Sequence, residues 1–134
     1  LRALHDLAEK IRRRALVIVF SDFFCELEPL LGCLQHLRFQ KHDLAVFHLL
    51  DRMEMEFKFD RPLRFQDLES PFSLVTEPAM VRDEYLRAFD AHRARLRQAC
   101  LEFNADYREV VTDQEPGKVL ADFLNERAQQ VGAH

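Results

Sequence analysis

The sequence predicts an α/β protein with a doubly wound parallel sheet and helices on its two faces. Two short apolar runs, a third segment that is predicted to be a strand, amphipathic segments between them and an aspartate after each of the three strands support this fold class. Such runs are typical of parallel strands buried on both faces, and alternating strands and helices are typical of a layered α/β domain. With 134 residues, the chain has room for no more than one domain.

The first half of the chain predicts the order helix, strand, helix, strand. Apolar residues recur at helical spacing over 1–11, and three arginines at 12–14 lie where the negative end of the helix dipole favours cations. The unbroken apolar run 15–20 then predicts a buried strand. A leucine stripe over 27–37 and a second apolar run over 44–50 predict the next helix and strand, which form a parallel crossover unit.

The second half predicts a small antiparallel β insert followed by helix, strand and helix. Phenylalanines alternate with charged residues between prolines over 52–78, which predicts two or three short strands. Helical spacing returns over 79–103, the segment 107–111 is predicted to be the last parallel strand, and Pro116 starts the closing helix. Because three strands make a thin sheet, we expect residues 1–134 to be the C-terminal portion of one larger domain. The exposed edge of the first strand would then favour self-association.

Composition and charge exclude several classes of protein. Hydrophobic residues make up 48% of the chain, which excludes disorder, and a formal charge of −4 lacks the basic footprint of a nucleic-acid binder. The longest uncharged apolar run, 15–20, is far too short to cross a bilayer, so we expect no membrane contact from this segment. Cys25, Cys33 and Cys100 are odd in number and have no metal-site spacing, which favours reduced thiols in a cytoplasmic protein.

Three aspartates mark the candidate site. Asp22, Asp51 and Asp113 each follow a predicted parallel strand, at the sheet edge where open α/β sheets bind ligands. Their oxygens could hold a divalent cation, and Ser21 adds a hydroxyl beside Asp22. Aspartate at this position is also a common helix cap, and a cap or turn role is the favoured interpretation of Asp51 and Asp113. For Asp22 the two interpretations are nearly balanced.

Other residues with chemical potential have structural explanations. His48 lies in an apolar strand and His92 on the apolar stripe of the long helix, so both are expected to be buried or half-buried histidines with a local hydrogen-bond partner. Gly32, Gly117 and Gly132 are isolated from one another, which excludes a glycine-rich phosphate loop in this segment.

Four segments of the chain together carry a resemblance to a known family. The chain resembles the C-terminal part of the bacterial family known as domain of unknown function 58, whose fold is similar to the von Willebrand factor type A domain. The resemblance covers nearly all 134 residues, and the segments that carry it are 12–23, 37–51, 54–59 and 64–69.

The resemblance implies a metal-ion-dependent adhesion site. Such sites combine an Asp-x-Ser-x-Ser loop, a threonine loop and a later aspartate. Ser21 and Asp22 stand where the later aspartate is found, with Phe23 in place of the more usual glycine, whereas the other two loops would lie upstream of Leu1. We therefore expect Mg²⁺ in the full-length protein and none in this segment.

The resemblance also implies a function. Family members look like partners of MoxR-type AAA+ ATPases, which indicates a metal-dependent protein-interaction module, an adaptor or assembly factor, and not an enzyme. The alternative is a metal-dependent hydrolase that uses Asp22, Asp51 and Asp113 as its cation cage. Hydrolysis would also require a general base at this edge, and the sequence places none there with certainty.

Overall fold

A computed structural model describes residues 1–56, 63–66, 73–76 and 78–132. None of the helices in these residues combines the length and the apolar character that crossing a bilayer requires. In chain order the elements are α1 (Arg2–Lys10), β1 (Leu16–Ser21), α2 (Leu27–Phe39), β2 (Asp43–Leu50), α3 (Arg52–Glu56), β3 (Leu63–Gln66), β4 (Ser73–Thr76), α4 (Pro78–Glu102), β5 (Asp106–Val111) and α5 (Pro116–Gly132).

The main sheet has three parallel strands in the order β1-β2-β5. Val19 pairs with Val46 between the first two strands, and His48 pairs with Glu109 between the last two. The sequence-based prediction of an α/β fold with three parallel strands is therefore confirmed. Since all three strands run in the same direction, the carboxyl ends of β1, β2 and β5 lie along one edge of the sheet, which we call the carboxyl edge.

The central strand β2 packs against helices on both faces of the sheet. Leu44 and Val46 belong to a buried cluster with residues of α1, α2 and α4, whereas Ala45 and Phe47 join a second cluster with Phe123 of α5. Successive side chains of a strand point to opposite faces, so each of these residues buries apolar surface on its own side. Burial on both faces explains why β2 is an unbroken apolar run in the sequence.

The prediction for the start of the β insert is wrong, because Arg52–Glu56 is the short helix α3. A carboxylate oxygen of Asp51 accepts a hydrogen bond from the Met53 N–H at 2.7 Å, which supplies a partner at the start of a helix. Methionine and glutamate also favour helix over strand. Farther on, β3 and β4 pair antiparallel as a separate two-stranded sheet. Residues 57–62, 67–72 and 77 of the predicted insert lie outside the described residues.

Two helices end in the same backbone motif. After α2, the N–H of Lys41 bonds to the carbonyl of Arg38 and the N–H of His42 bonds to that of Leu37, while Lys41 has a left-handed φ of 67°. The same pattern closes α4, where Asn104 has a φ of 55°. This arrangement is the Schellman motif, which satisfies the last carbonyls of a helix and turns the chain sharply. As a result, β2 follows closely after α2, and β5 follows closely after α4.

The basic segment 12–14 lies after the first helix, which ends at Lys10 and not at the arginines. Arg14 instead forms an ion pair with Asp43 at 3.2 Å, and Arg127 of α5 contacts the same carboxylate at 2.8 Å. Asp43 begins β2, so these pairs lie at the opposite edge of the sheet from the candidate site.

Candidate functional site

The loop that follows β1 carries both predicted metal-binding residues. The Ser21 hydroxyl oxygen accepts a hydrogen bond from the Phe23 N–H at 3.0 Å, and one carboxylate oxygen of Asp22 accepts a hydrogen bond from the Phe24 N–H at 3.0 Å. Serine and aspartate commonly form such bonds with the backbone two residues onward. The two side chains therefore shape the loop in which they lie.

Phe23 takes a left-handed backbone conformation with a φ of 52°. A side chain there brings Cβ close to the following carbonyl, and glycine avoids this cost. The ring of Phe23 is only 2% exposed and meets the ring of His48 edge to face at 5.4 Å between centroids. Burial of the ring therefore favours phenylalanine at a position where the backbone conformation favours glycine.

Two histidines contact the main chain of this loop. His48 Nε2 lies 2.9 Å from the Asp22 carbonyl oxygen, and His92 Nε2 lies 3.0 Å from the Phe23 carbonyl oxygen. Both histidines therefore have a hydrogen-bond partner, as predicted; His48 is buried and His92 is half-buried. Burial lowers the pKa of His48, although the bond to the Asp22 carbonyl and the charge of Glu109 partly oppose this effect.

A polar network behind His48 connects the loop to β5 and α4. His48 Nδ1 lies 2.8 Å from the Tyr107 hydroxyl, whose oxygen is 3.2 Å from a carboxylate oxygen of Glu109. Glu109 accepts hydrogen bonds from Arg93 and Arg97. Burial favours a higher pKa for Glu109, but these guanidinium groups outweigh it and lower the pKa below its usual value. Burial also raises the pKa of Tyr107, so its hydroxyl stays protonated.

The other two predicted aspartates have structural partners. Asp51 binds the Met53 N–H at the start of α3, which confirms the cap interpretation. Asp113 lies in the turn after β5 and binds Arg52 Nε at 2.7 Å, and this bond lowers the pKa of the aspartate. An ion pair with Arg52, which the sequence did not indicate, therefore neutralises the third carboxylate.

Sequence reasoning missed Glu54, which lies near the carboxyl edge on α3. Burial raises the pKa of Glu54, and the negative charges of Asp51 and Asp22 raise it further. Burial likewise raises the pKa of Tyr85 to about 12, with smaller contributions from Glu54 and Asp51. Within the described ranges, however, no three His, Cys, Asp or Glu side chains come together as a metal site. These residues alone do not provide a ligand set for Mg²⁺.

An open groove runs along the outer edge of β1 and reaches the loop of Asp22. It has a volume of about 670 Å³, with Leu4 and Leu7 of α1, Val19 of β1 and Phe24 of the loop in its lining. In the described part of the chain, β2 is the only strand that pairs with β1. A sheet edge, an open groove lined by apolar and polar residues, and a carboxylate therefore meet at one place.

The comparison with protein families gives one result. The model of a family described as "Protein of unknown function DUF58" matches residues 1–95, from α1 into α4, and thus includes the loop after β1. No curated protein matches the chain, and no solved structure matches it.

Proposed function

Since this chain belongs to the DUF58 family of proteins of unknown function, we propose its role from its geometry: it is a protein-interaction module that binds its partner at the carboxyl edge of the sheet. We further propose that its sheet belongs to a doubly wound domain of the von Willebrand A type and that its partner is a MoxR-type AAA+ ATPase. In this proposal the protein acts as an adaptor or assembly factor.

The observation that carries the proposal is that Asp22 lines the groove beside β1. Phe24, in the same loop, is 69% exposed, and Phe20, at the end of β1, is 44% exposed. Exposed aromatic side chains around a groove are typical of protein interaction sites. Ligands of open parallel sheets also bind outside the carboxyl ends of the strands. A partner that contacts Asp22 would therefore also cover apolar surface.

Mg²⁺ enters this proposal only in the full-length protein. Ser21 and Asp22 offer a hydroxyl and a carboxylate, whereas Mg²⁺ requires near-octahedral coordination by oxygen. We propose that loops outside this chain and water supply the remaining oxygens. The chain of 134 residues should accordingly bind Mg²⁺ weakly or not at all, and micromolar affinity in isothermal titration calorimetry would contradict an incomplete ligand set.

The hydrolase alternative has less support. It needs Asp113 as a cation ligand, but that carboxylate is already paired with Arg52 at 2.7 Å. A Mg²⁺-dependent phosphoesterase activity that is lost in Asp22→Ala, Asp51→Ala and Asp113→Ala alike would favour the hydrolase over the interaction module.

A pair of matched variants tests the interaction module. Asp22 and Asp51 both follow a parallel strand, and each accepts the N–H two residues onward. Replacing either by alanine should therefore cost a similar amount of stability, about 1 kcal/mol. Only Asp22→Ala should weaken binding of the full-length protein to the MoxR-type ATPase, by at least about tenfold, a free-energy difference of about 1.4 kcal/mol.

Affinity should be measured by biolayer interferometry for both variants, with Mg²⁺ and with EDTA. EDTA should weaken the wild-type complex and should have little further effect on Asp22→Ala. Equal losses in the two variants, or a complex that EDTA leaves intact, would contradict the proposed role of Asp22.

A further inference from the structure

The two peptide groups of the loop after β1 are each held at both ends. The peptide that joins Asp22 to Phe23 contributes its carbonyl to His48 and its N–H to the Ser21 hydroxyl. The next peptide, which joins Phe23 to Phe24, contributes its carbonyl to His92 and to the Cys25 N–H, and its own N–H to the Asp22 carboxylate. Because a peptide group is planar and rigid, fixing its carbonyl also fixes the direction of its N–H.

The hydrogen positions on the two rings follow from their partners. A carbonyl oxygen only accepts hydrogen bonds, so His48 and His92 must both carry a proton on Nε2. His48 is 1% exposed and lies on the central strand, where the Tyr107 hydroxyl also holds its Nδ1. His92 lies on α4, on a different element. The donors are therefore attached to the core, outside the loop that they contact.

We propose that His48 and His92 are positioning residues. His48 orients Ser21 and His92 orients Asp22, each through a single peptide group. This inference rests on the proposed function, because it assigns the two histidines to the site at which the partner binds. The left-handed φ of Phe23 strengthens the need for them, since this conformation is unfavourable for phenylalanine and must be held by contacts from the rest of the protein.

Hydrogen exchange measured by NMR tests the pairing without any partner. His92→Leu should speed exchange of the Phe24 amide by about fivefold, the effect of losing one ordinary hydrogen bond, and should affect the Phe23 amide less. His48→Leu should show the reverse preference. A glutamine side chain can donate from a position similar to Nε2, so His48→Gln and His92→Gln should restore much of the protection.

The variant Leu34→Ala is the control for a general loss of stability. Leu34 is fully buried in the same cluster as Phe23 but lies on α2, away from the loop. It should speed exchange broadly, with no preference for the Phe23 or Phe24 amide. If both leucine variants speed the two amides equally, or if their pattern equals that of Leu34→Ala, the positioning role is wrong.

Partner affinity of the full-length protein then distinguishes this inference from the proposed function. His92→Leu should weaken binding of the MoxR-type ATPase by about fivefold, His92→Gln should bind nearly as the wild type does, and Leu34→Ala should bind normally while folded. If Asp22→Ala abolishes binding but His48→Leu and His92→Leu do not weaken it, the positioning role is overturned and the proposed function stands. If the wild type binds no ATPase, the proposed function fails and amide exchange alone decides the positioning role.

Discussion

Replacing Phe23 by glycine and by alanine should give an order of stability opposite to the usual one. Glycine in a folded segment is normally less stable than alanine by about 0.5–1 kcal/mol, because its unfolded chain is more flexible. Phe23, however, has a φ of 52°, where alanine keeps an unfavourable Cβ contact and glycine does not. We expect Phe23→Gly to be the more stable of the two variants.

The magnitude follows from three contributions. Removing the buried ring costs about 3–5 kcal/mol in either variant, since Phe23 is only 2% exposed. Glycine then recovers about 1–2 kcal/mol by relieving the left-handed strain, but loses about 0.5–1 kcal/mol through chain entropy. Phe23→Gly should therefore exceed Phe23→Ala in free energy of unfolding by up to about 1.5 kcal/mol, with a central value of about 0.75 kcal/mol.

Urea unfolding followed by circular dichroism measures this difference, with Phe47 as the control position. Phe47 is fully buried in β2 and is not among the described residues with a positive φ. There the alanine variant should be more stable than the glycine variant by about 0.5–1 kcal/mol. A stabilising osmolyte keeps all four variants folded at zero denaturant. If alanine is also the better residue at position 23, the backbone there is not strained.

Four further outcomes are expected. Lys41→Gly should raise the free energy of unfolding by about 0.5–1 kcal/mol and the melting temperature by about 2–4 °C in calorimetry, because Lys41 has a left-handed φ of 67°. The pKa of Glu109 is lower in the folded state than its ordinary value of 4.5, so the ionised carboxylate stabilises the fold. This stabilisation is complete above pH 4.5 and is lost as the pH falls through the folded pKa. Glu109→Gln should therefore flatten the acid side of the plot of free energy of unfolding against pH. A thiol-reactive dye should modify exposed Cys25 before buried Cys100, whose pKa burial raises to about 11. The outer edge of β1 should promote concentration-dependent self-association, which a monodisperse monomer in light scattering at high concentration would contradict.

The apolar runs predicted the first two strands of the main sheet, of which β2 is buried on both faces. The apolar run 15–20 corresponds to β1, and the run 44–50 corresponds to β2, each within one residue at either end. The segment 52–56 was misassigned because five residues fit the spacing of a strand and that of a helix equally well. The bond from the Met53 N–H to Asp51 favours the helix there, and a short-range contact of this kind leaves little trace in the apolar pattern.

The candidate site was only partly predictable. Asp22 could be placed because the end of a parallel strand fixes the edge at which it lies. Glu54 was missed because it had been assigned to a strand in the insert. The contacts of His48 and His92 with loop carbonyls were also missed, because every residue has a carbonyl and its neighbours depend on the tertiary fold.

One signal in the sequence nevertheless pointed to the loop. His48 interrupts a strand of apolar residues, and a buried polar side chain must have partners for its polar atoms. An apolar residue at this position would remove the His48 donor from the Asp22 carbonyl and leave the Tyr107 hydroxyl with Glu109 as its partner. The lost bond to the carbonyl should cost about 1 kcal/mol. A histidine near the carboxyl end of a central parallel strand therefore indicates that a neighbouring loop needs a donor from the core, and in this protein that loop carries Asp22.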